Sequence, residues 1–207
     1  MRPQGTGPRD DAMSLFLDIG TGAGLAGATG ARPFLPPLLT GALARGDVAI
    51  DFDGTDWSFL ESPGFLFALL GLALILYGLE RTRPADGLLS PGTTLGLAAA
   101  VVLGGMLFAG SLADGGHPVW IGLVAGPLCA ALGWVAVNGL LARARRRLDQ
   151  GAGSLLAVYA DAAALLLAAV AIFLPPVAFL ALGGFAVLLA GGRRREDEKY
   201  AGLRILR

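Results

Sequence analysis

Six stretches of the chain are apolar and almost free of charge: Ser14 to about Ala44, Gly64–Leu79, Thr94–Leu112, Val119–Ala142, Leu155–Leu174 and Val177–Gly191. A hydrocarbon core about 30 Å thick is crossed by roughly 20 apolar helical residues, fewer where flanking side chains snorkel. The pattern therefore predicts an all-α, polytopic membrane protein with about six transmembrane helices. The connections between the runs are short and rich in turn formers, as in Arg81-Thr-Arg-Pro-Ala-Asp-Gly87, Asp114-Gly-Gly-His-Pro118, Leu148-Asp-Gln-Gly-Ala-Gly153 and Pro175-Pro176. Residues 1–192 read as one transmembrane domain, its halves covering 13–112 and 118–192, with a charged and then amphipathic tail over 193–207.

The first run is interrupted. Pro33, Pro36 and Pro37 lack an N–H and disfavour helix in the residue before them, so a helix continuous through Arg32–Pro37 is not expected. Non-helical backbone at membrane depth survives only where protein or a water-lined cavity satisfies its polar groups, which makes this a broken or re-entrant span facing the protein interior. Gly30 belongs to the same break, while Gly20, Gly24 and Ala28 also form a small-residue ridge suited to close helix packing. Gly22-Ala-Gly-Leu-Ala-Gly27 matches a dinucleotide-binding fingerprint as a string, but it lacks the preceding strand and the βαβ unit the mechanism needs.

Gly126-Pro127 marks a second expected break, and Gly24-Leu25…Gly41…Arg45 aligns with Gly122-Leu123…Gly139…Arg143 at a fixed offset. Three crossings per half would set the halves in opposite orientations. Broken segments at matching positions of such a 3+3 inverted repeat point to a transporter's midplane site.

Composition agrees with the pattern: 55% of the 207 residues are hydrophobic and 15% charged, and the mean hydropathy is +0.66. These values exclude a water-soluble enzyme domain, disorder and a secreted disulfide scaffold, the last because Cys129 is the only cysteine. Formal net charge is zero, so nothing draws the chain to nucleic acid. The distribution of the charges sets the orientation: with both termini cytoplasmic, all the Lys and Arg residues but Arg32 and Arg45 fall inside, and the acidic stretch Asp47–Glu61 falls outside.

Candidate chemistry rests on three charges inside the spans, Asp18, Arg32 and Asp161. An ionisable residue at helix centre costs about 2.5–3.5 kcal/mol on insertion scales, so such residues pair, line a polar cavity, or do both. In the orientation above Asp18 and Asp161 share one depth, and the Arg32 guanidinium reaches back to hold one carboxylate and leave the other free. Two readings stay open: a static ion pair fixing helix register, and a substrate or proton-coupling site. Asp51-Phe-Asp-Gly-Thr-Asp56 echoes a calcium loop without its register, so a solvated acidic loop is expected rather than a metal site. His117, the one histidine, has no Cys beside it for a metal. Neither a cofactor nor a catalytic constellation is expected, and the protein does not read as an enzyme.

The run Gly27-Ala-Thr-Gly-Ala-Arg-Pro-Phe-Leu-Pro36, the acidic loop with Trp57 before Ser62-Pro63, and the closing Lys199-Tyr-Ala-Gly-Leu-Arg-Ile-Leu-Arg207 resemble the bacterial membrane family known as domain of unknown function 4126. That resemblance implies a multi-pass protein of a bacterial inner membrane, without an activity. A looser resemblance is to the DedA-type lipid transporters, whose re-entrant segments carry Gly, Arg and Pro as Gly30–Gly41 does. It implies a phosphate-binding role for Arg32, although the second arginine of that pattern is missing here. Two functions follow as expectations: a small transporter or lipid flippase for an anionic solute or lipid, and a non-transporting scaffold or assembly subunit. Its partners would be the lipid bilayer and, as a homo-oligomer, copies of itself.

Overall fold

The computed structural model describes residues 8–82, 91–145 and 150–203, with side chains left out next to these limits. The turn expected around Pro84–Gly87, the arginines Arg146 and Arg147, and the amphipathic end at Leu206 lie outside the described residues. All regular structure among them is helical: α1 (Pro8–Ala31), α2 (Leu35–Ala44), a 3-10 turn (Ser58–Glu61), α3 (Pro63–Thr82), α4 (Pro91–Asp114), α5 (Val119–Arg145), α6 (Gln150–Phe173) and α7 (Pro175–Leu203). Three of these carry stretches long and apolar enough to cross a membrane, Thr94–Asp114, Val119–Ala144 and Leu155–Phe173, and shorter apolar helical stretches lie at Leu35–Ala44, Pro63–Ile75 and Pro175–Gly191. The architecture is that of a membrane protein.

The first run is two helices, as its prolines require. The Arg32 amide closes the last turn of α1 on the Ala28 carbonyl at 3.0 Å. Pro33 cannot continue that ladder, and Pro36 and Pro37 sit in the first turn of α2, where no N–H is needed. Thr40 Oγ1 then donates to the Pro36 carbonyl at 2.9 Å, satisfying a hydroxyl that is fully buried.

α1 is the centre of the bundle and touches α4, α5, α6 and α7. Small residues make this feasible. A Cβ at Gly30 would strike the backbone of Ala130 and Trp134, and one at Gly133 would strike the Gly27 carbonyl, so α1 and α5 cross backbone to backbone. Leu25, Ala26, Ala28 and Thr29 are consequently inaccessible, and Thr29 Oγ1 returns its proton to the Leu25 carbonyl at 2.7 Å.

Contacts along α1 give its direction. Gly22 lies against Phe108, whose Cβ also faces Gly126; near Ala26 is Gly104, which faces Ala130. α1 and α5 thus run the same way, antiparallel to α4. Gly20 meets Pro175, and Ser111 Oγ donates to the Asp18 carbonyl at 3.0 Å. The early part of α1, the α4–α5 turn and the α6–α7 turn therefore share one end of the bundle. Phe52 and Leu60 face Gly110, which brings the acidic loop to that same end. α1 and α2 form a hairpin whose two open ends lie there and whose tip, Arg32–Phe34, points into the bundle.

Three sequence expectations need correction. The break expected at Gly126-Pro127 is absent: α5 is continuous from Val119 to Arg145 with Pro127 inside it. The absence of a Cβ at Gly126 admits the Gly104 carbonyl and Gly105, whose own missing Cβ leaves room for the Pro127 ring, so packing offsets the lost helix bond. The inverted relation of the halves fails with it, because α1 and α5, the first elements of each half, are parallel. Finally, the start of α1 and the end of α7 lie at opposite ends of the bundle, so the described chain does not begin and finish on one face.

The core has two parts. One joins Leu25, Ala28, Leu107, Ala168 and Ala178 to Ala44, Ile50, Phe52 and Leu60, tying the hairpin and the acidic loop to α4, α6 and α7. The other holds Ala23, Ala26, Phe108 and Leu112. Asp47 (φ 52°) and Ala49 (φ 64°) adopt left-handed backbone in the loop, a strain outweighed by burial of the neighbouring Ile50 and Phe52.

Candidate functional site

Arg32 sits where α1 ends, and its side chain turns to α6. Nε lies 2.6 Å from Asp161 Oδ1, and Nη2 donates to the Ala157 carbonyl at 3.2 Å. Ala157 precedes Asp161 by one helical turn, so the carbonyl and carboxylate stand on one face of α6 and are gripped by one guanidinium. Nε makes no aligned hydrogen bond, and the contact rests on charge. The side chains are 15% and 25% exposed, so the pair is neither free in solvent nor sealed. Asp161 stands about 18 Å from the α6 end at Phe173 and about 17 Å from its start at Gln150. It is halfway along the helix.

Asp18 is elsewhere. It is separated from Arg32 by about 21 Å of α1, and its Oδ2 lies 3.3 Å from His117 Nε2 in the α4–α5 turn. The expected cluster of Asp18, Arg32 and Asp161 therefore resolves into two pairs at different depths. Asp18 and Asp161 were expected at one depth because the first run was read as entering from the face of Arg81; α1 instead starts at the other end. Ser14 Oγ approaches the same His117 Nε2 at 3.4 Å. Serine, histidine and aspartate thus meet, but serine and carboxylate compete for one ring nitrogen. A catalytic relay uses both nitrogens.

The acidic loop gathers Asp47, Asp51 and Asp53, whose carboxylate oxygens lie within 4.8 Å of one another at the exposed surface. Asp56, which completed the sequence pattern, is not part of this group, and Asp47, which that pattern omitted, is. The Asp53 amide donates to Asp51 Oδ1 at 2.7 Å, a local turn. Arg45, Asp47, Asp53 and Glu61 border a polar groove of about 250 Å³. Glu61 is only 8% exposed, and burial together with a hydrogen bond to the Asp53 carboxyl raises its pKa above 4.5.

A second groove, of about 520 Å³, runs between α3 and α4 and is walled by apolar side chains, among them Phe34 at the hairpin tip, Leu69, Leu72, Ala98, Val102 and Met106. Nothing in the sequence marked it, because its lining is drawn from two helices and a turn that look alike as strings of Leu, Ala and Val.

Residues 19–195 match the family described as Domain of unknown function (DUF4126). The chain belongs to that family. The matched stretch contains α1 from Ile19 onward, all of α2, Arg32 and Asp161, and begins one residue after Asp18. It bears out the first resemblance seen in the sequence and does not speak to the DedA-type one. No curated protein and no solved structure matches the chain. For this member of the DUF4126 family, function is therefore argued from the site.

Proposed function

We propose that the protein is a small membrane transporter or lipid flippase for an anionic group, in which the α1–α2 hairpin is a re-entrant element and Arg32 with Asp161 forms the site. The observation that carries this reading is an ion pair inside an apolar helix, held at the tip of a helical hairpin. An intramembrane charge is costly and is kept where it binds or moves something. The guanidinium spends Nε and Nη2 on α6 and has Nη1 left for an anion. Asp161 supports a proton-exchange role, since an arriving anion that captures Arg32 leaves the carboxylate unpaired and ready to take a proton.

The charges at the two ends of the bundle support one orientation. The end of the bundle that carries Asp18, the acidic loop and Asp114 reads as the outer side. The end reached by α5 at Arg143 and by α7 at its arginines reads as cytoplasmic. In this orientation α1 runs inward from the outer side and α7 runs toward the cytoplasmic side of a bacterial inner membrane.

A second reading, a scaffold with a static pair, is favoured by the backbone-to-backbone packing of α1 on α5 at Gly30 and Gly133. Reconstitution separates the two. Vesicles holding the protein are assayed for transbilayer movement of fluorescent phosphatidylglycerol and for uptake of labelled inorganic phosphate, with wild type and Asp161→Asn. Transport predicts movement of one probe by wild type and its loss, per folded molecule, in the variant. A scaffold predicts no movement of either probe by wild type or variant.

A further inference from the structure

We propose that His117 and Asp18 form a proton-operated clasp, which seats the early part of α1 against the α4–α5 turn while the imidazole is charged and releases it when the imidazole is neutral. The turn itself builds the socket. Gly116 takes left-handed backbone (φ 73°), and the chain doubles back so that the His117 amide donates to the Leu112 carbonyl at 2.8 Å. A Cβ on Gly115 would strike the Asp18 carboxylate, so the absence of that atom is what lets α1 lay this side chain into the turn. Ser111 Oγ, donating to the Asp18 carbonyl at 3.0 Å, holds the same residue by its backbone. Asp18 is thus part of a contact between two elements rather than a charge stranded on one helix.

Hydrogen-bond accounting assigns the protons. Ser14 Oγ donates its own proton to the Asp11 carbonyl at 2.9 Å, so toward His117 Nε2, at 3.4 Å, it can only accept. Nε2 therefore carries a proton in both charge states of the ring, and the proton gained or lost is the one on Nδ1. Asp18 Oδ2, 3.3 Å from Nε2, is buried and has no aligned hydrogen bond. What it lacks is a countercharge, and the imidazolium supplies one where the neutral ring does not. The other charged groups that the described elements bring to the turn are acidic. α4 brings Asp114, whose carboxylate accepts the Asp51 amide of the acidic loop, and α1 brings Asp11, one turn before Ser14. The first turns of α5 and the α6–α7 turn, Phe173–Val177, bring none. The sign follows: the clasp is present while the ring holds its second proton and is lost as pH rises and that proton leaves. Because α1 carries Arg32 at its other end, the clasp sets how firmly the hairpin is seated, whether or not anything is transported.

The test uses the full chain in lipid nanodiscs with nitrogen-15 in its histidine; His117 is the one histidine, so the ring resonances report its protonation without overlap. Amide exchange of the segment Ser14–Gly22, corrected for the intrinsic effect of pH on exchange, is followed over the same range, from about pH 5 to pH 8. Exchange is expected to quicken about fivefold as the ring loses its proton, the value of one partly shielded ion pair. Asp18→Asn and His117→Gln should each remove that step, the glutamine keeping an N–H for Ser14 without a charge that titrates. Glu61→Gln should leave it in place. A wild-type ring that changes protonation with no change in α1 exchange would overturn the proposal, even if neither variant folds, and so would a ring that keeps one protonation state across the range. A step that survives in Asp18→Asn, or that disappears in Glu61→Gln and so belongs to the acidic loop, would overturn it as well.

Discussion

Breaking the Arg32–Asp161 pair from either side should cost about 2–3 kcal/mol of stability, and the two losses should not add. At 2.6 Å the gross attraction at an effective dielectric near 20 is about 6 kcal/mol. Much of it is offset by the desolvation of both ions. Removing one partner of a fully buried pair costs about 3–5 kcal/mol because the survivor is left uncompensated. Neither side chain is fully enclosed by protein, at 15% and 25% exposed, so relaxation around the survivor lowers that figure. Arg32→Gln and Asp161→Asn should each fall in the reduced range, with Arg32→Gln the costlier, because it also loses the guanidinium's hold on the Ala157 carbonyl. The double variant should cost little more than either single one, giving a coupling of about 1–2 kcal/mol. Reversible unfolding in mixed micelles, followed by helical circular dichroism across the four-member cycle, measures these values. Additive losses, or single losses below about 0.5 kcal/mol, would refute the pairing as a stabilising contact.

Three further outcomes are expected. Gly30→Ala should destabilise by about 1–3 kcal/mol, because its Cβ meets the backbone of α5; Gly183→Ala, with nothing within 4 Å, should be neutral or gain about 0.5–1 kcal/mol of helix propensity, and thermal unfolding of both variants checks the contrast. Phe52→Ala removes a fully buried ring set against Gly110 and should cost about 3–5 kcal/mol, with protease cleavage appearing first between Asp47 and Trp57. The acidic loop should be held more firmly at acid pH. Glu61 has a folded-state pKa raised above 4.5, so its stabilising share is fully present below that value and is lost as pH rises through the raised one. Amide exchange of the loop should therefore quicken across that window in wild type, and Glu61→Gln should remove the step.

Much of this molecule was written locally. Hydrophobic runs longer than any soluble helix needs, with turns between them, are enough for an all-helical membrane protein, because the bilayer demands internally satisfied backbone of every span. Pro33, Pro36 and Pro37 are enough to divide the first run in two, because a missing N–H acts on the residues beside it. The cost of an intramembrane charge was enough to single out Asp18, Arg32 and Asp161. Partners and directions were decided only by the tertiary structure. Whether Asp161 or Asp18 meets Arg32 depends on which end of the bundle α1 starts from, and that is set by where its glycines can approach α4, α5 and α7. Pro127 looks like Pro33 as a letter, yet α5 passes through it, because Gly105 across the interface accepts its ring and repacking offsets the lost bond. Contacts between residues a hundred positions apart depend on the fit of surfaces that a one-dimensional pattern of Gly, Ala and Leu does not distinguish.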